Sequence, residues 1–221
     1  MMTETTIGPA TRGADAVGGV DIRIEDDASP IVRLIARTVA DSLRADSSLL
    51  PAGLEGAIAI RSHDTPQSAT ITLADGAISV SSGVFVAPGL DVTVDLNQFF
   101  APVGEPRGSA ELIAVATALL SPPLPDWKDA AVSFWDKARA VPGIPDVLVA
   151  VIEGPDGVDQ VIAGEGETHY IIAGPADLLA AVFTGAVDLV AALSTGLMGV
   201  RGTLSQLSVL VAASWKVRYD V

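Results

Sequence analysis

The stretch from Gly174 to Val217, GPADLLAAVFTGAVDLVAALSTGLMGVRGTLSQLSVLVAASWKV, carries only Asp177, Asp188, Arg201 and Lys216 as charges. A membrane-spanning helix needs about 20 consecutive apolar residues. The best window, Leu178 to Val200, has Asp188 near its middle and is interrupted by Gly185 and Gly196. Cut at its glycines, the stretch reads instead as short soluble elements. Pro175 and Asp177 suit a first helical turn, Leu178, Leu179, Val182 and Phe183 share one side, and Gly185 suits a left-handed cap. Asp188 opens a second helix with Leu189, Val190 and Leu193 inward, and Gly196 ends it. LMGVRG is then extended in character, and from Thr203 a closing helix carries Leu204, Leu207, Leu210, Val211 and Trp215 at three- and four-residue spacing.

Composition narrows the partners. With 27 acidic against 13 basic residues the formal charge is −14, which repels a phosphate backbone and disfavours stable residence on an anionic membrane. Nucleic acid is therefore excluded as a natural partner. The absence of cysteine excludes disulfides, thiolate metal sites and cysteine nucleophiles. With 49% hydrophobic residues and only 5% aromatics, the core is aliphatic, and such side chains also make good walls for an aliphatic ligand. Residues 1–19 read as a flexible tail without a basic patch followed by an apolar run, so the expectation is a cytoplasmic protein without a signal peptide.

Elsewhere the pattern alternates. Ser29 and Pro30 stand at the N-cap and N1 positions of a helix to about Arg44, with Ile31, Leu34, Ile35, Val39 and Leu43 as its stripe. EGAIAIRS, SATITLADG, AISVSSG and GLDVTVDLN read as short strands, and Asp75-Gly76 is a hairpin signal. SAELIAVATALLS and DWKDAAVSFWDKARA read as helices on either side of PPLP, and PDVLVAVIEG, DQVIAG and THYIIAG as strands, the first two joined by GPDG. The predicted class is α+β, an antiparallel sheet covered by helices. GLDVTVDLNQFF and ETHYIIAGPADLL both pass from a strand into an apolar segment, a pattern a diverged duplication would leave.

An apolar helix, a glycine (Gly185), a short helix, a strand framed by two glycines six apart (Gly196 and Gly202) and a last apolar helix resemble the carboxy-terminal part of the sterol carrier protein family. A leading helix, strands around a DG hairpin and a strand of the DVTVDL kind resemble its beginning. Residues 31–44, 56–96 and 168–217 are placed this way. The resemblance implies one sterol-carrier-like domain over residues 20–221, with 97–167 as an insertion or a diverged second copy. It further implies an apolar tunnel between sheet and helices. Lysines expected around the glycine-framed strand are replaced by Leu197, Met198 and Val200.

The function so implied is soluble binding or transfer of a fatty-acyl, sterol-like or isoprenoid lipid, with no catalytic residue, metal or cofactor required. The cavity candidates are Leu178, Val182, Phe183, Leu193, Leu197, Met198, Leu204, Leu207, Leu210, Val211 and Trp215. One alternative is an enzyme holding a hydrophobic substrate in the same cavity, with His63, His169, Glu165, Glu167 or Asp188 as acid or base. Glu165, Glu167 and His169 share one face if EGETH is extended, where they could ligate a metal, although a solvated strand face is the plainer reading. His63-Asp64 with a distant serine lacks the G-x-S-x-G elbow of a hydrolase. A second alternative is a protein-interaction surface, including a homodimer interface.

Overall fold

The computed structural model describes residues 11–13, 17, 19–154 and 157–219. Most of the expected tail and the two central residues of GPDG lie outside them. The chain divides into two compact units, one made of the residues up to Asp95 with Phe100–Pro122, the other of Leu96–Phe99 and the residues from Pro123 on.

In the first unit β1 (Thr11–Gly13) and β2 (Ile22–Glu25) precede helix α1 (Pro30–Ala45). β1 pairs with β2, so part of the stretch read as a tail is a sheet edge. Pro30 sits in the first turn of α1 as expected, but the Ser29 hydroxyl bonds Ser82 Oγ at 2.8 Å rather than capping the helix. The stripe of Ile31, Leu34, Ile35, Val39 and Leu43 is buried throughout. Then come β3 (Gly56–Ser62), β4 (Ser68–Ala74), β5 (Ala77–Ser82) and β6 (Leu90–Asp95), the two-residue strands β7 (Ala101–Pro102) and β8 (Arg107–Gly108), and helix α2 (Ala110–Leu120).

Asp75 and Gly76 join β4 to β5 with φ of 52° and 70°. Two successive positive values are what a type I′ hairpin turn requires, which is why DG signals it. Pairing sets Ile24, Val80, Ile71, Ile58 and Leu90 in one row across five strands, on the face whose side chains form the core. On the other face Arg61 holds Asp91 at 3.1 Å, both part-exposed.

The sheet is mixed, not antiparallel: β2 runs parallel to β5, and β3 to β6. No two-residue turn follows Ser82. The longer loop of residues 83–89 carries the chain past β4 to the far side of β3, where the next strand enters in the same direction.

The second unit contains α3 (Trp127–Ala138), β9 (Val147–Gly154), β10 (Gly157–Gly164), β11 (His169–Ala173), α4 (Ala176–Phe183), α5 (Leu189–Ser194), β12 (Gly199–Arg201) and α6 (Leu204–Tyr219). Its sheet order is β10-β9-β11-β12, with β11 parallel to β9 and the other pairs antiparallel. Residues 96–99 dock here through Asp188 N–H to Asn97 O at 3.1 Å and a bridge between Gln98 and Val187.

Both units share one order: helix, hairpin, a strand parallel to the hairpin's first strand, a short strand antiparallel to that one, helix. The first adds β5 after the hairpin, and the second adds α4 and α5 before the short strand. The two stretches matched to the sterol carrier pattern thus fall in different sheets. Residues 97–167 contribute to both units: β7, β8 and α2 to the first, α3, β9 and β10 to the second.

Candidate functional site

Gly185 and Gly196 end α4 and α5 with φ of 76° and 73°, a conformation that excludes most other residues there. Asp188 Oδ1 accepts from Ala191 N–H at 2.9 Å and caps α5. At α6, Thr203 and Gln206 exchange hydrogen bonds of 2.8 and 3.1 Å, a capping box that fixes where the helix begins.

These elements bury the cavity candidates unequally. Val182, Phe183, Met198 and Leu210 join one core with Phe134, Tyr170 and Ile172, and Leu178, Leu193, Leu207 and Val211 pack against it part-buried. Leu204 and Trp215, read from the periodicity as inward, are 85% and 49% exposed, and Val190 is likewise exposed. The buried side of α6 is instead Leu210, Ala213, Ser214, Val217 and Arg218. Leu204 is the first residue of the helix, and Trp215 turns its indole N–H to Asp188 Oδ2 at 2.9 Å. A three- and four-residue spacing fits both stripes, and the buried cation Arg218 made the true one look polar.

A concavity among the described residues of this unit lies elsewhere. A groove of about 460 Å³ is lined by Glu153, Ala173, Gly174, Pro175, Gly196, Leu197, Met198 and Gly199. It opens where the turn from β11 into α4 meets the segment from α5 into β12. Ala173 pairs with Gly199, and both belong to the sheet face opposite the helices. That face continues as Val147, Val149, Val151 and Ile171. Of the expected cavity residues, Leu197 and Met198 line the groove and the other nine do not. Gly174 is close-packed, since a Cβ there would stand 2.9 Å from Met198 Cγ, whereas a Cβ on Gly199 would meet nothing within 4 Å. Apart from Glu153, which no sequence signal singled out, the groove residues missed from sequence are small ones or proline, and their one signal was the density of glycine in AGP and TGLMG.

The acid–base candidates are dispersed. Ser62 donates to Asp64 at 2.6 Å and so holds that carboxyl below the usual carboxylate range, while His63 lies 3.9 Å from the same oxygen. This hydroxyl is spent on the carboxylate and is not presented to the imidazole as a nucleophile would be. Glu165 and Glu167 lie in an exposed bend, not on a strand. Asp146 Oδ2 clamps this bend by accepting from Thr168 N–H at 3.0 Å, Thr168 Oγ1 at 2.7 Å and Glu167 N–H at 3.2 Å, and the Thr168 bonds lower the Asp146 pKa. His169 Nε2 sits 3.2 Å from Gly166 O. Among the described residues no group of three or more His, Cys, Asp or Glu could hold a metal ion, and no helix is long and apolar enough to cross a membrane. Compared with protein-family models, with curated proteins and with solved structures, the chain matches none.

Proposed function

We propose that the chain is a non-catalytic binding or transfer protein for a hydrophobic small molecule, of the sterol-carrier kind, held in the groove of its second unit. The observation that carries this reading is the groove itself. Its volume of about 460 Å³ falls in the range of ligand sites, roughly 300–1,000 Å³. Leu197, 64% exposed at its edge, Met198 and Ala173 offer apolar contact, and a thioether adapts to ligands of different outline. Burial of aliphatic carbon is worth about 0.8 kcal/mol per CH2, so these three side chains would hold the apolar part of a ligand, beside the polar backbone of Gly174, Gly196 and Gly199.

The family reading draws support from the order of the second unit: helix, hairpin, strand, two short helices, glycine-bounded strand, helix. Glu153 is the charged side chain among the groove residues. A carboxylate there disfavours a free fatty acid and favours a neutral sterol-like or isoprenoid molecule.

Gly199→Trp tests the proposal, because a Cβ at this groove position meets nothing within 4 Å and the new ring is carried from the groove wall. In a titration with a neutral fluorescent sterol, the wild type is expected to bind saturably and Gly199→Trp to raise Kd by about tenfold or more, equivalent to about 1.4 kcal/mol. Absence of saturable binding, or equal binding by the folded variant, overturns the reading.

A further inference from the structure

We infer that the free edge of β10 is a self-association surface, which pairs antiparallel with β10 of a second copy of this chain. Among the described residues β10 is the outermost strand of its sheet and bonds only β9 within it. All its residues except Val161 and Ala163 are exposed. A strand edge presents unpaired N–H and C=O groups, and chains that stay monomeric blunt such edges with lysine, proline, bulges or a covering segment. β10, with the sequence GVDQVIAG, has no lysine or proline, and its pairing with β9 runs without a bulge from Gly157 to Gly164. Its one charge, Asp159, is held by Lys128 at 2.7 Å, so the edge is locally near neutral in a chain of charge −14.

The occupant is specified by the strand's own symmetry. Val158 and Ile162, 66% and 58% exposed, share the face away from the helices and flank Gln160 at equal distance. An antiparallel register centred on Gln160 sets Val158 of one copy opposite Ile162 of the other, twice, with Gln160 facing its own mate. In that register Asp159 stands opposite Val161, so no like charges face each other directly. The strand is thus complementary to itself in side chains and in charge, as a two-fold interface requires. Eight paired residues cover less than the roughly 800 Å² per partner of a stable interface, so the dimer is reversible. Since the copies repel through their overall charge, added salt tightens it.

Sedimentation velocity of the full chain from about 1 to about 500 µM is expected to shift from monomer towards dimer mass, more so at higher salt. Ile162→Lys and Val158→Lys, each at an exposed position, are expected to weaken dimerisation about tenfold or more with an unchanged circular dichroism spectrum. Because the chain has no cysteine, Gln160→Cys introduces a single thiol. Oxidation should link it into a disulfide dimer, while Ser208→Cys, exposed on α6, should not link. A monomer at all concentrations, a dimer that neither lysine variant weakens, or equal cross-linking at both positions overturns the inference.

Discussion

Tyr170 is 1% exposed and its hydroxyl meets no hydrogen-bond partner among the described residues. Leaving a buried hydroxyl unpaired costs about 1–3 kcal/mol, so its removal is close to free. Tyr170→Phe is expected to keep or raise the urea midpoint. Burial also raises the phenol's pKa, so the fold favours the neutral form. That contribution is complete below the unfolded value near 10 and is lost as pH rises through the folded value. Tyr170→Phe should therefore flatten the loss of stability above about pH 10. The same ring explains Gly202, where a Cβ would stand 2.7 Å from Tyr170 Cε2. The spacing of Gly196 and Gly202 was visible in the sequence, but the two glycines serve different ends, one a helix cap and the other room for a ring. Gly202→Ala is expected to lower stability by about 1–3 kcal/mol in chemical denaturation, as overpacking does.

At the scale of elements, local chemistry was the legible part. Asp75-Gly76, Gly185, Asp188 and Gly196 act within a few residues of themselves, and the turn and caps they encode formed where the sequence placed them. Facing and pairing depend on distant partners and were less legible. α6 turned on Arg218, whose guanidinium donates to Gly185 O at 2.6 Å and to Leu96 O, a contact no periodicity contains. The EGETH bend was likewise misread as strand, because its shape is imposed by Asp146 from another strand's approach. Gly166 has a φ of 149°, and a Cβ there would lie 2.3 Å from Asp146 Cβ, so alanine cannot be accommodated without moving the clamp. Since hydrogen bonds depress the Asp146 pKa, its support of the bend is present above the ordinary carboxylate value and is lost as pH falls through the folded one. Amide exchange at Glu167 and Thr168 should accelerate on acidification, and Asp146→Ala should show fast exchange already at neutral pH.

For the whole molecule, what the sequence concealed was the division of labour along the chain. A strand such as β6 or β11 carries no mark of the sheet it joins, and the two stretches that fit one pattern lie in different sheets. The connection is also not simple. Residues 96–99 belong to the second unit although the residues before and after them belong to the first. They supply Leu96 O to Arg218, Asn97 O to Asp188 N–H, and the Gln98 bridge. A second crossing at Ser121–Asp126 is rich in proline and lies between helices. Lengthening a loop costs only about 0.6 kcal/mol per doubling, whereas buried hydrogen bonds to a charged group are worth about 1.5–3 kcal/mol each. Two glycines inserted between Pro122 and Pro123 should therefore leave the second unit nearly unchanged, and the same insertion between Leu96 and Asn97 should destabilise it by about 2 kcal/mol or more. Tryptophan fluorescence reads this directly in a urea titration, because Trp127, Trp135 and Trp215 all lie in the second unit. Equal midpoints for the two insertions would mean that residues 96–99 only pass by this unit and do not help to hold it.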